Sequence, residues 1–163
     1  MVNTTCIRPV NQNDADFIHT LMNNSSVMLA LNEIPTSKKD WTEAISEWSH
    51  DEDEEDYIIL DGMTPIGWIG INGLQSNYKS AYIKIVAILP EYQNRGYGTK
   101  AIQELMFDLK LKGFEKILLY TDKENLKAQA CYQRCGFQVV ELLTETMSNG
   151  KDVARYLMET HLK

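Results

Sequence analysis

The chain has 163 residues, 44% hydrophobic and 24% charged, a balance that excludes a disordered or fibrous protein and fits one globular domain with a single core. Its net charge of −7 is local, because six of the 23 acidic residues form the run Asp51 to Asp56 and the other 17 nearly match the 16 bases. No basic stripe is present to neutralise a nucleic-acid backbone, and no stretch approaches the ~20 apolar residues of a membrane span, so neither partner is expected.

Cys6 to Val10 reads as a first strand, after which Asn13 or Asp14 can cap a helix carrying Phe17, Ile18, Leu21 and Met22 at helical spacing. A second helix is expected over Ser25 to Leu31, ending before Pro35. A third, capped by Ser37, places Trp41, Ala44, Ile45 and Trp48 on one face. The acidic run is read as a solvated loop, with attraction of a polycationic acceptor as the alternative. Tyr57 to Leu60, Asp61-Gly62 and Ile66 to Ile71 read as a hairpin, and Ala81 to Leu89 as a longer strand ending at Pro90. Ala101, Ile102, Leu105, Met106 and Leu109 mark a helix closed by Gly113. Lys116 to Thr121 is a buried strand, Asn125 to Cys135 a helix ended by Gly136. Phe137 to Leu143 and Val153 to Thr160 form a last strand pair, joined through Ser148-Asn149-Gly150. The order predicts an α/β chain of the α+β kind, with one mixed sheet flanked by helices and no linker that divides it.

The informative stretch runs from Leu89 to Thr99, where a strand ends, a glycine-containing loop turns and an amphipathic helix begins. Amides at a helix N-terminus lack intrahelical partners and lie at the positive end of the macrodipole, so the geometry suits a phosphate near Gly96 and Gly98, with Arg95 adding positive charge. A harmless strand-to-helix turn is the other reading of the same loop. A Walker A loop is excluded, since Gly98-Thr99-Lys100 runs in the wrong order. The strict dinucleotide G-x-G-x-x-G is not matched, since position 101 is Ala.

Gln93-Asn94-Arg95-Gly96-Tyr97-Gly98 resembles the Q/R-x-x-G-x-G/A signature of the GCN5-related N-acetyltransferase (GNAT) superfamily. Ile88-Leu89-Pro90 resembles the segment before that loop. Asn125-x-x-Ala128-x-x-x-Tyr132, followed by Cys135-Gly136-Phe137, resembles a later motif of the same family. The resemblance implies a single GNAT-like domain over residues 1–163 with a mostly antiparallel central sheet. It also implies direct transfer of an acetyl group from the cosubstrate acetyl-CoA to an amine, either a protein N-terminus or a small-molecule amine. It assigns the cofactor grip to Gln93, Asn94, Arg95, Gly96, Tyr97, Gly98 and Thr99, with Asn125 bonding the pantetheine or the start of its own helix. Carbonyl polarisation falls to the backbone of Ile88 with Val86 alongside, and the general acid to Tyr132. The strand position that carries a catalytic Glu in the histone-acetylating branch holds Tyr82 here. That departure leaves Glu33 as the candidate base, with a water chain to solvent as the alternative. It also motivates a second reading, a non-catalytic acyl-CoA-binding sensor of the same fold.

Other features favour structure over chemistry. Cys6, Cys131 and Cys135 are odd in number with no C-x-x-C pair, and His19, His50 and His161 show no ligand spacing, so no metal is expected. Trp41, Trp48 and Trp68 read as core or groove wall. The start Met1 to Thr5 lacks the basic and apolar segments of a signal peptide, so a cytoplasmic protein is expected. The last strands could pair across a two-fold axis to make a homodimer.

Overall fold

The computed structural model describes residues 4–163, so the reading of Met1 to Asn3 lies outside the described residues. Seven strands, β1 (Thr5–Pro9), β2 (Glu55–Asp61), β3 (Thr64–Asn72), β4 (Ser80–Ile88), β5 (Lys116–Asp122), β6 (Gln138–Thr146) and β7 (Asp152–His161), form one sheet in the order β1-β2-β3-β4-β5-β7-β6. Every neighbouring pair is antiparallel except β4 and β5, which the intervening helix α4 (Tyr97–Leu111) allows to run parallel. The other helices are α1 (Ala15–Met22), α2 (Ser25–Leu31), α3 (Lys38–Ser49) and α5 (Leu126–Arg134).

The sheet separates two apolar layers. On one face Ala101, Ile102, Leu105 and Leu109 of α4 meet Tyr57, Ile59, Ile69 and Phe137. On the other, Ile18 and Leu21 of α1 and Ile45 of α3 meet Ile58, Leu60, Trp68 and Ala87. Strand side chains alternate between faces, so a central strand covered on both must be apolar throughout, and β2 and β3 read that way.

Helix starts follow local hydrogen bonding. Ser37 and Asn24 cap α3 and α2 through their side chains. The first helix departs from the sequence expectation: Asn11, not Asn13 or Asp14, makes the capping box, and it caps a short 3-10 turn over Gln12–Asp14 that leads into α1. Asp14 closes that box by accepting from the Asn11 amide at 2.8 Å and also pairs with Arg8, Nη2 to Oδ1 at 2.8 Å, so its side chain caps no amide of α1. The acidic run is a second correction. Glu55 and Asp56 belong to β2, and Asp56 is buried, because the strand continues upstream of Tyr57 to pair with Gly70 and Ile71.

Candidate active site

β4 and β5 pair only from Ser80↔Lys116 to Ile83↔Leu119, and beyond that point the strands part. The register between β3 and β4 slips at the same place, with Ile71 opposite Ile83 and Gly70 opposite Ile85, which leaves Lys84 as an inserted residue. Ile83 packs in the α4 layer, whereas Lys84 and Ile85 both turn to the α1–α3 layer; Val86 and Ile88 then return to the α4 side. The opening holds a cleft of about 830 Å³, walled by Val86, Ile88, Gly98, Tyr132, Glu33 and Asp122 among others.

Ile88 and Val86 present backbone to this cleft. The Leu89 amide donates to the Ile66 carbonyl of β3 at 2.9 Å, so strand alternation turns the polar groups of Ile88 and Val86 toward the parted β5 edge. Gln93 Nε2 donates to the Ile88 carbonyl from that side at 2.8 Å.

The loop after β4 is bent by two left-handed residues, Asn94 (φ 61°) and Gly96 (φ 86°), the second immediately before α4. Gly96 supplies no side-chain cap, so the amides of the first turn of a 15-residue helix are left for an anion. A Cβ on Gly98 would lie 3.3 Å from Ile88 Cδ1, a tight contact, and in ordinary contact with Cys131 Sγ at 3.5 Å, so the position packs closely against the cleft wall. Gln93, Asn94, Gly96, Tyr97, Gly98 and Thr99 all border the cleft. Arg95 is the exception. Its guanidinium lies 5.6 Å from the ring centroids of both Tyr92 and Tyr97 and donates to the Glu91 carbonyl, which directs it along the loop and away from the cleft wall. The Tyr97 side chain is buried in the α4 layer with its hydroxyl on Asp61 Oδ2 at 3.1 Å, so only its backbone faces the anion position. Asn125 caps α5, accepting from the Ala128 amide at 3.2 Å.

Tyr132 borders the cleft beside Phe137, and burial, followed by the neighbouring Cys131, pushes its phenol well above the usual tyrosine range. Glu33, half-buried in the α2–α3 connection, is raised above an ordinary carboxyl by desolvation. Sequence reasoning missed its neighbours. Asn32 is the left-handed C-cap of α2 and donates from Nδ2 to Asp122 Oδ2 at 2.7 Å; Asp122 also faces Arg155 Nε at 3.2 Å. The asparagine just past a helix end was a visible signal, but Asp122 and Arg155 come together only by β5–β7 pairing. Cys131 Sγ sits 3.4 Å from Thr99 Oγ1, the Cys135 thiol donates to the Thr99 carbonyl, and these neighbours with the Arg134 charge pull the Cys131 thiol below the ordinary range.

Residues 24–137 match the acetyltransferase (GNAT) family. The chain belongs to that family. It is 30% identical over 148 residues to the spermidine N(1)-acetyltransferase of Escherichia coli (strain K12), covering 89% of this chain and 79% of that relative. It is 29% identical over 161 residues to the Vibrio cholerae spermidine N(1)-acetyltransferase, covering 94% and 92%. The crystal structure of the Vibrio cholerae spermidine N-acetyltransferase in complex with CoA and spermine superposes with a TM-score of 0.88 at 26% identity, over 98% of this chain and 96% of that one. A structure of the Vibrio cholerae enzyme described as dodecameric superposes with a TM-score of 0.81 at 26% identity, over 98% and 94%. Family membership, whole-chain similarity and the open β4–β5 cleft make this chain an acetyl-CoA-dependent N-acetyltransferase, and the catalytic reading stands over the sensor. Among the described residues no group of three or more His, Cys, Asp or Glu is gathered for a metal, and no helix is long and apolar enough to cross a membrane.

Proposed function

We propose that the acceptor is a linear polyamine of the spermidine kind, and that the cleft residues divide the transfer among them. The observation that carries the reading is the carboxylate Glu33 in the same cleft as Tyr132, in a chain whose relatives along nearly its whole length are spermidine acetyltransferases. Glu33 has no ion pair among the described residues, whereas Asp122 is committed to Arg155 and Asn32. A primary ammonium entering the cleft therefore meets Glu33 as its open carboxylate.

The uncapped amides of Gly98 and Thr99 hold the pyrophosphate of acetyl-CoA, and the backbone donors of Ile88 and Val86 face the thioester oxygen. Acetyl-CoA supplies the activated acyl carbon. Glu33, made more basic by its partial burial, takes the proton of the acceptor ammonium, and the freed amine forms its N–C bond as the C–S bond breaks. Tyr132, kept protonated by burial, gives its proton to the departing thiolate; the remaining extra proton of the acylated nitrogen restores the phenol, and Glu33 releases the proton it took to solvent. Asn125 acts through its cap, fixing α5 and with it Tyr132.

The same reading includes self-association. β6 lies at the sheet edge with Val139, Val140 and Leu142 exposed, as suits a surface covered by another copy, and the Vibrio cholerae relative is described as dodecameric. The three free cysteines suit a reducing compartment such as the cytoplasm.

The test is release of CoA thiol from acetyl-CoA in the presence of spermidine, an aminoglycoside or an N-terminal peptide. The polyamine should give a kcat/KM at least ~tenfold above the others, the span of one well-placed charged contact. Preferential turnover of the peptide would overturn the acceptor assignment.

A further inference from the structure

The residue inserted into β4 is a lysine, and its ammonium does not point to solvent. Lys84 Nζ is paired with Glu54 and lies 3.3 Å from Asp56 Oδ1, 4.3 Å from the ring centroid of Trp48 and 5.5 Å from that of Trp68. The groups around it come from α3, the start of β2 and β3, so one side chain ties the inserted residue to separate elements of the α1–α3 layer. Trp68 Nε1 donates to Asp56 Oδ1 at 2.9 Å, and Trp48 stacks on Trp68 with ring centroids 5.2 Å apart, which fixes the walls of the cage. Gly70, opposite Asp56 in the β2–β3 ladder, makes the room: a Cβ there would fall 2.4 Å from Asp56 Oδ1 and 2.5 Å from Lys84 Cε.

The cage lies where the site is decided. The slip at Lys84 coincides with the end of β4–β5 pairing, and it resets the alternation of every residue after it. Without an insertion, period-2 alternation from Ala81 and Ile83 would put Ile85 and Ala87 on the α4 side; with it, Val86 and Ile88 are there. An unanchored bulge can migrate along a strand, and each one-residue step exchanges the groups that face the open edge.

We propose that Lys84 is a positioning residue for acetyl transfer: its ammonium, caged by Glu54, Asp56, Trp48 and Trp68, pins the β4 bulge and so holds the Val86 and Ile88 backbone toward the cleft. The assignment rests on the role of Val86 and Ile88 given under Proposed function. Lys84 also borders the cleft, and the role assigned to it is carried by the bulge rather than by contact with either substrate. Its effect appears in the transition state, where a displaced donor costs rate, while the loop at Gly96 to Thr99 retains the nucleotide.

The test compares wild type with Lys84→Met, Lys84→Arg and a triple variant carrying Lys84→Met, Asp56→Asn and Glu54→Gln, which removes the acids that the single change would leave without a cation. Three quantities are measured: kcat with acetyl-CoA and spermidine, the Kd of CoA by calorimetry, and amide hydrogen exchange over residues 85–88. In the triple variant kcat should fall by roughly tenfold or more, exchange over residues 85–88 should quicken, and the Kd of CoA should stay within about twofold. Lys84→Arg should recover most of the rate. Wild-type kcat in the triple variant, with only the melting temperature lowered, would overturn the proposal, as would a proportionate loss of CoA affinity. If wild type fails to turn over spermidine, the acceptor assignment falls, and unchanged or quickened exchange over residues 85–88 still decides whether Lys84 pins the bulge.

Discussion

A phenol serves as an acid only if it is protonated when the thiolate leaves. Burial raises Tyr132 and keeps it so, and its ring is fixed against Phe137 with centroids 6.0 Å apart. Tyr132→Phe should lower kcat by about 100-fold, the usual worth of one placed proton donor, with little change in CoA affinity. Stopped assays of thiol release check the first and calorimetry the second. Cys131 titrates in the opposite sense. Its neighbours Cys135 and then Thr99, with the Arg134 charge, lower it against the opposing desolvation of burial, so its alkylation by iodoacetamide should persist to a lower pH than that of a free thiol such as glutathione. Peptide mass mapping across a pH series reads this directly. Because Cys131 borders the cleft, added CoA should slow the reaction.

At the scale of elements, α5 depends on its cap. Asn125→Ala removes the acceptor of the Ala128 amide and should cost about 1 kcal/mol in denaturant unfolding. Gly70→Ala should cost about 2 kcal/mol, because the added Cβ collides with Asp56 and the Lys84 stem. Asp56 itself makes stability depend on pH. Burial first, and then its neighbour Glu54, raises it from 3.8 to about 8 although Lys84 lies beside it. The desolvation of a side chain only 1% exposed, with Oδ2 reached by no donor among the described residues, outweighs a cation shared with Glu54. The folded chain thus binds this proton more tightly than the unfolded one. Its stabilising contribution is complete below about pH 4 and is lost as pH rises toward 8. Melting temperatures of wild type and Asp56→Asn, measured over that range, should therefore draw apart in the variant's favour as pH rises.

For the molecule as a whole, one sheet with a helical layer on each face leaves β1 and β6 as edges. Phe137, fully buried between α5 and β6, joins α5 to the sheet, and Phe137→Ala should cost about 4 kcal/mol by leaving a cavity in the α4 layer. The β6 edge is different in kind, because its apolar residues face outward. Light scattering should show an assembly larger than a monomer, and Val140→Glu together with Leu142→Glu should reduce its mass without unfolding the chain.

Much of this was legible in the sequence because it is encoded over short distances. Apolar period and cap residues place α2 and α3, and the glycines of the loop before α4 announce an anion site, since those signals need only neighbours along the chain. The Gln93 to Gly98 and Asn125 to Phe137 motifs name the family for the same reason. The side-chain directions within that loop were not legible: Arg95 lies over Tyr92 and Tyr97, whose positions are set by the core. Nor was the fate of the acidic run, where six like charges read as solvent-facing until β2 extends upstream and Lys84 arrives from β4 to meet Glu54 and Asp56. A bulge is a relation between two strands, and a charge cage a relation among several elements, so only the tertiary structure decided where the cleft opens and what holds it open.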